Sequence, residues 1–401
     1  YFAPHPVQYH VGIYRELTRL NNVDFLVYYE DSIGLDTVYE KEFNQNIKWD
    51  VDLISGYEKI FLKNYSHNPM GGFFSRINPS IFSILYKNRP DVVMFNGYVN
   101  LSDWLLLISA KKFGSKIIWR GEAVLKGNEN SKNIKHKIKE LILSNFLNSC
   151  DAVMYSCSGN YDYLTYYGVK QQKMFPIPCS VDNEFFRAGF KNNINDKNKE
   201  VNGIELRIKN GSIYNINLTD TKINLKQEEN KIKLELGIGE NDMVIIFTAR
   251  FTNRKRPLDL LSAVSKISNI NITILFVGDG LERLKMEEFA YKHNIKAKFV
   301  GFQNQMALAR FYTIADLNVV ISDYDPSPKA LNEAMNFELP VIVTNVVGTA
   351  YDLIENNKNG FIVKVGDVVT LANKLDFLNK NRDVLKEMGK KSLEIVSKFN
   401  Y

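Results

Sequence analysis

Leu317-Asn-Val-Val-Ile-Ser322-Asp-Tyr-Asp-Pro-Ser-Pro-Lys-Ala-Leu-Asn-Glu-Ala-Met335 reads as three joined parts. Leu317–Ile321 is a short apolar run rich in β-branched residues, which predicts a strand buried on both faces. Ser322–Pro326 is polar and turn-forming. Ser327 followed by Pro328 predicts a helix N-cap with proline at the first helical position, so a helix is expected over Pro328–Met335. A buried strand passing through a polar loop into a helix is the repeating step of a parallel α/β sheet.

The same step recurs along almost the whole chain. In the first half, strands are expected at Val23–Tyr28, Val92–Phe95, Lys116–Trp119, Ala152–Tyr155 and Met174–Ile177. Helical periodicity fills Tyr9–Leu20, Leu101–Phe113, Ile134–Leu147 and Tyr161–Tyr167 between them. In the second half the strands are Met243–Thr248, Ile272–Val277, Leu317–Ile321 and Pro340–Thr344, and helices are expected at Pro257–Ile267, Leu281–His293 and Met306–Thr313 besides the one already noted. Two such series predict two Rossmann-like α/β domains, 1–186 and 234–401. The seam, 187–233, opens with an Asn/Lys-rich stretch. It continues through alternating residues around Asn210-Gly211, which predict a small β-hairpin insertion.

Length and composition agree with this division. The 401 residues exceed one ordinary core and suit two domains. Hydrophobic residues at 45% and 25 Phe with 21 Tyr exclude disorder for most of the chain. A net charge of +6 allows an anionic ligand but lacks the concentrated basic surface that nucleic acid asks for, so no nucleic-acid partner is expected. Cys150, Cys157 and Cys179 match no zinc spacing and are too few for a disulfide framework, which points to a reducing, cytoplasmic compartment. No run reaches the length of a membrane span, and no signal peptide opens the sequence. Tyr1-Phe2-Ala3 before Pro4 reads as the tail of a strand, which suggests truncation at the beginning, and the end carries no helix stop signal.

Chemistry concentrates at two places. The start of the helix after Ser327 offers unpaired amides, with Lys329 in its first turn, a seat for phosphate. Asp325 before the helix and Glu333 within it are carboxylates suited to pairs of sugar hydroxyls, the alternative being an acidic turn and a solvated helix residue. The loop Ala249-Arg250-Phe251-Thr252-Asn253-Arg254-Lys255-Arg256 follows the apolar strand Val244–Phe247. In an open α/β sheet such a loop lies where ligands bind, and its four cations suit a diphosphate; a solvated charge run is the alternative.

Together these residues resemble a family 4 glycosyltransferase of bacterial type with the GT-B fold: two facing Rossmann-like domains, a retaining reaction and no metal. Arg250 and Lys255 match the family's G-R-x-x-x-x-K loop, with Ala249 replacing glycine. Val277-Gly278-Asp279-Gly280 matches its V-G-D-G turn, Val300-Gly301-Phe302 the loop near the nucleotide base, and Tyr312–Ser322 with Ala315-Asp316 its Y-x-x-A-D segment. Asp325 and Glu333 occupy the E-x7-E pair, with aspartate first. In the first half, Trp49-Asp50, Gly56-Tyr57, Trp119-Arg120-Gly121-Glu122 and Ser180-Val181-Asp182-Asn183 with Phe186 also match a bacterial branch. The resemblance implies catalytic roles for Arg250, Lys255, Asp325 and Glu333, the last on ribose hydroxyls and Asp325 on donor sugar hydroxyls. It implies donor binding at Gly278, Phe302, Ser327, Lys329, Ala330 and Leu331. Glu338 stands where the family commonly has a helix-ending glycine, and Arg120 where many relatives have histidine.

The activity so implied is transfer of a sugar from a nucleotide-diphosphate sugar, UDP or GDP being favoured, to a hydroxyl of a glycan, lipid-linked glycan or small molecule, with no separate cofactor and no metal site. With no enzymic nucleophile evident, front-face displacement is the implied route. His5, Gln8, Arg120 and Glu122 are the residues expected on the acceptor side. Ile134–Ile142 is a basic amphipathic helix, to be read as packed on the sheet or as a peripheral contact with anionic lipid at the inner face of the membrane. The rival readings are a sugar-nucleotide epimerase or hydrolase on the same fold, and a non-catalytic nucleotide-sugar-binding relative.

Overall fold

The computed structural model describes residues 1–35, 38–40, 45–47, 49–69, 71–125, 134–187, 218–268 and 271–400. The strands of the first half are β1 (Phe2–Ala3), β2 (Leu26–Tyr29), β3 (Val38–Glu40), β4 (Gln45–Ile47), β5 (Glu58–Phe61), β6 (Val92–Asn96), β7 (Lys116–Gly121), β8 (Ala152–Tyr155) and β9 (Met174–Pro176). Between them run α1 (Gln8–Thr18), α2 (Ser80–Asn88), α3 (Leu101–Phe113), α4 (Ile134–Asn148) and α5 (Ser158–Tyr166). Apart from the antiparallel pair β3–β4, these strands form one parallel sheet in the order β5-β2-β1-β6-β7-β8-β9. Phe2–Ala3, expected as the end of a strand, is the strand from which the order runs both ways.

After α6 (Leu218–Glu235) the second half alternates strictly: β10 (Met243–Thr248), α7 (Pro257–Val264), β11 (Ile272–Val277), α8 (Arg283–Lys292), β12 (Ala297–Phe299), α9 (Gln305–Thr313) and β13 (Leu317–Val320). Then come α10 (Lys329–Met335), β14 (Val341–Thr344), α11 (Ala350–Leu353), β15 (Gly360–Val363), α12 (Val368–Lys380) and α13 (Arg382–Val396). The sheet order is β12-β11-β10-β13-β14-β15, all parallel. Two parallel sheets with helical crossovers make two Rossmann-like domains, as expected. The hairpin expected near Asn210-Gly211 lies outside the described residues.

Burial explains why the strands read as unbroken apolar runs. Met243, Ile245 and Phe247 of β10 pack with one helix layer, whereas Val244 and Ile246 pack with the other. β11 divides likewise, Ile272, Ile274 and Phe276 against Leu275 and Val277. Both faces are dry, and each such side chain contributes about 1.5–3 kcal/mol of transfer free energy. Glu338 ends α10's turn at φ 57°, the left-handed conformation that glycine would adopt without strain. No helix among the described residues is long and apolar enough to cross a membrane.

Each sheet reverses its direction of growth at one place, between β1 and β6 in the first and between β10 and β13 in the second. Loops leaving the carboxyl ends of such neighbours diverge to opposite faces and leave a crevice.

Candidate active site

The loop after β10 (249–256) and the loop after β13 (321–328) meet at the second sheet's crevice, which faces the first domain. Here lies a cavity of about 300 Å³. Arg250, Lys255, Asp325, Lys329, Ala330 and Glu333 line it from the second domain, together with Gly278 and Phe302. Gln8, Tyr9 and Trp49 line it from the first. All four residues expected to be catalytic are thus brought to one place, from positions up to eighty-odd residues apart in sequence.

Gly278 is there for steric reasons. Its φ is 136°, and a Cβ built on it would lie 1.9 Å from the Ala249 carbonyl oxygen. Only glycine lets the loops after β10 and β11 approach this closely.

Lys255 Nζ donates to Asp325 Oδ2, forming an ion pair whose members are 15% and 9% exposed. Ser322 Oγ donates to the same carboxylate oxygen at 3.4 Å. The Lys255 ammonium and the Asp325 carboxylate, expected on different parts of a ligand, therefore sit side by side. The other two cations of the loop are structural, which corrects the expectation that all four serve an anion. Arg254 Nη1 donates to the Tyr324 carbonyl at 2.6 Å, and the Asp323 amide donates to the Arg254 carbonyl at 2.9 Å, bracing the two loops together. Arg256 Nε donates to Asp259 at 2.7 Å.

The helix after Ser327 also needs correction. α10 starts at Lys329, and Pro328 is the cap residue with ψ 110°, outside the helical region; no side chain caps this end. Ser327 instead accepts a hydrogen bond from Lys329 Nζ at 3.3 Å. Leu331, expected to bind donor, is fully buried against Val320, Met335 and Val343, and its amide donates to the Pro328 carbonyl at 3.1 Å. A first-turn amide already engaged by the chain cannot serve a phosphate.

Glu333 is 2% exposed, so it is not a solvated helix residue. Tyr9 Oη of the first domain donates to Oε1 at 2.7 Å, and Tyr312 Oη of α9 donates to Oε2 at 2.9 Å. Burial holds this carboxyl above the ordinary range, and the two tyrosine hydroxyls and the Lys329 charge offset only part of that rise. Each oxygen keeps a lone pair for a further donor. Burial, then the Glu333 charge, raises Tyr9 well above the usual phenol, so it remains a donor.

On the opposite wall, Glu122 Oε1 lies 3.4 Å from Lys329 Nζ and 3.6 Å from Arg120 Nη2. Lys329 Nζ also donates to Cys179 Sγ at 2.9 Å. Burial opposes the charge of Lys329, but neighbouring Cys179 and Glu122 hold it above its ordinary value. Arg120 is 4% exposed at the end of β7. Burial, then Arg76, lowers His5 to about 4, and Arg76 Nη2 approaches its Nδ1 at 3.2 Å. Burial, then Arg120, Lys329 and His5, likewise keeps His10 neutral. Of the acceptor-side set only Gln8 reaches the 300 Å³ cavity. Tyr9 was missed beside Gln8, and Tyr312 was noticed only as part of a motif. A buried carboxylate at Glu333 requires such donors, but the sequence does not say which hydroxyls supply them.

α4 does not bury its whole apolar content. Leu143, Phe146 and Leu147 are buried, whereas Ile134, Ile138, Leu141 and Ile142 are 72%, 54%, 64% and 48% exposed. Their spacing puts them on one helix face, bordered by Lys135, Lys137 and Lys139.

Residues 228–394 match the family described as Glycosyl transferases group 1. The N-acetyl-alpha-D-glucosaminyl L-malate synthase of Bacillus anthracis is 27% identical over 181 residues, 45% of this chain and 47% of that protein. A Campylobacter jejuni alpha-1,4-N-acetyl-D-galactosaminyltransferase, named for a diphosphoundecaprenol-linked acceptor, is 29% identical over 37% of this chain and 42% of its own length. The chain thus spans about half the length of these curated relatives. The Anabaena protein HepE, solved with UDP and glucose, superposes with a TM-score of 0.67 over 100% of this chain and 94% of its own, at 14% identity. The fold is GT-B.

Proposed function

We propose that the protein is a retaining glycosyltransferase of family 4 that moves a sugar from a nucleotide-diphosphate sugar to a hydroxyl acceptor without a metal ion. The observation that carries this reading is the convergence of Arg250, Lys255, Asp325 and Glu333 on one cavity at the second sheet's switch point, closed over by the first domain. The match of residues 228–394 to Glycosyl transferases group 1, and the sugar-transferring names of the relatives, support it.

The chemistry follows from charge. As the bond from the sugar to the diphosphate breaks, negative charge grows on the leaving group. Arg250 and Lys255 are fixed cations at that wall, and preorganised donors of this kind are worth about 3 kcal/mol each in the transition state. Glu333 accepts the ribose hydroxyls through its remaining lone pairs. Asp325, held by Lys255 and Ser322, faces the donor sugar and shares the ammonium with the diphosphate. The acceptor enters from the first domain beside Gln8 and Glu122, and the leaving phosphate takes the proton of its hydroxyl. A lipid-linked glycan is the proposed acceptor, with the protein on the cytoplasmic face of a membrane. The apolar face of α4 and its bordering lysines suit an anionic lipid surface.

Purified protein incubated with UDP-, GDP- and ADP-sugars, with and without glycan acceptors, tests the proposal through released nucleotide and glycosylated product. Acceptor-dependent product whose anomeric configuration matches the donor is expected. Arg250→Ala and Lys255→Ala should each lower turnover by two orders of magnitude or more while the fold persists, and Glu333→Gln should weaken nucleotide binding. Release without an acceptor product would identify a hydrolase instead. Near wild-type turnover in both cation variants would remove the mechanism.

A further inference from the structure

The first domain does more than wait opposite the donor cavity: Gln8, Tyr9 and Trp49 form part of the cavity wall. Trp49 meets Phe302 edge-on, with ring centroids 6.1 Å apart and planes at 69°. Its neighbour Asp50 accepts a hydrogen bond from the Met306 amide at 3.3 Å, in the first turn of α9. The segment Trp49-Asp50 is thereby pinned on Phe302 and the start of α9 in the other domain. Tyr9, in the first turn of α1, reaches Glu333 by the 2.7 Å bond already described. The cavity therefore has an ionic wall at Lys255 and Asp325 and an aromatic wall at Trp49 and Phe302.

We propose that the nucleoside end of the donor is gripped by both domains, with Trp49 capping the base over Phe302 and Tyr9 aligning the Glu333 carboxylate for the ribose. This rests on the reading of the cavity as a nucleotide-sugar site. Two aromatic rings bordering one end of the cavity suit a purine or pyrimidine and offer nothing to a diphosphate. A tyrosine hydroxyl on Oε1 fixes the carboxylate's orientation and favours its ionised form, which two ribose hydroxyls need. Tyr9 is accordingly a positioning residue, and Trp49 a binding one.

Tryptophan emission reports this directly. Trp104 Nε1 is tied to the Tyr98 carbonyl and Trp119 Nε1 to the Gly97 carbonyl, both inside the first domain, which leaves Trp49 as the indole at the cavity. The full chain is titrated with UDP, GDP, ADP and inorganic pyrophosphate, following emission and, by calorimetry, affinity. At least one nucleoside diphosphate should change the emission, and pyrophosphate should leave it unchanged. Trp49→Leu should abolish the change and weaken that nucleotide about tenfold, leaving pyrophosphate affinity as it was, and Trp49→Phe should restore most of the affinity. Around Glu333 the facing groups are Tyr9 of α1, Tyr312 of α9 and Lys329 of α10. Removing one donor raises the carboxyl further, so Tyr9→Phe should move the acid limb of nucleotide binding to higher pH. If the wild type binds a nucleoside diphosphate and Trp49→Leu binds it equally well, the two-domain grip is wrong and the donor site stands. If the wild type binds none of the three, the donor reading falls and this inference with it.

Discussion

Lys255 and Asp325, 70 positions apart, form an ion pair across the two loops that flank the second sheet's switch point. The pair ties the loops together and sets an ammonium beside the carboxylate in the cavity wall. Such a pair is costly to break from one side, because the surviving charge stays buried, yet its replacement by neutral groups is often tolerated.

Lys255→Met and Asp325→Asn are therefore each expected to lower the melting temperature, by the equivalent of about 2–4 kcal/mol, and the double variant to recover most of the loss. Activity should stay absent in all three. Thermal unfolding by circular dichroism, beside a turnover assay, checks this, and additive losses in the double variant would show that the pair has no energetic coupling.

Gly278→Ala places a methyl group 1.9 Å from the Ala249 oxygen at a backbone conformation closed to alanine. A loss of about 2–3 kcal/mol is expected, together with weaker nucleotide binding, since the loop bearing Arg250 must move away. Denaturant unfolding and calorimetry measure the two effects.

Glu338 makes the opposite prediction. At φ 57° it holds a conformation that glycine adopts freely. Glu338→Gly should stabilise the protein by about 1 kcal/mol, less the entropy that glycine adds to the unfolded chain. The position lies outside the cavity lining, so turnover should be unchanged. A lower melting temperature would show that the glutamate side chain makes up for its backbone.

Glu30 is 1% exposed, and its carboxyl is raised by burial first and by Asp103 next, with Arg76 opposing. The folded state then holds a proton that the unfolded chain releases near pH 4. The sign follows: between that pH and the raised value, folding stability falls as pH rises. Glu30→Gln should flatten the decline from mildly acid to neutral pH, as read from midpoints of urea unfolding at several pH values.

The exposed stripe on α4 yields a binding prediction. Lys135, Lys137 and Lys139 changed together to Glu should reduce sedimentation with vesicles containing anionic phosphatidylglycerol by tenfold or more, at about 1 kcal/mol per charge, and leave turnover on a soluble acceptor intact. Equal sedimentation of variant and wild type would assign the stripe to another partner.

Much of the fold is legible in particular stretches. Met243–Thr248 and Ile272–Val277 agree with the structure to the residue, because a strand buried on both faces is apolar at nearly every position, the buried Thr273 hydroxyl being satisfied by Asp242. β5 was missed for the complementary reason: Glu58–Phe61 is an edge strand whose four residues are mostly exposed, and it carries no apolar run. Leu331 was assigned to the donor because a motif gives residues in order and not the direction in which each side faces. The same limit put Arg254 and Arg256 with Arg250 and Lys255, although Arg254 braces the two loops, Arg256 pairs with Asp259, and only Arg250 and Lys255 line the cavity.

The amino-acid sequence by itself determined the two α/β domains and the neighbourhood of the reactive loops, since hydrophobic period and strand-end position are local properties of the chain. Which groups touch was decided only by tertiary structure. The hydroxyl at position 9 meets the carboxylate at position 333 because the two domains close on each other. That meeting depends on the placement of whole sheets, which no short stretch of residues encodes.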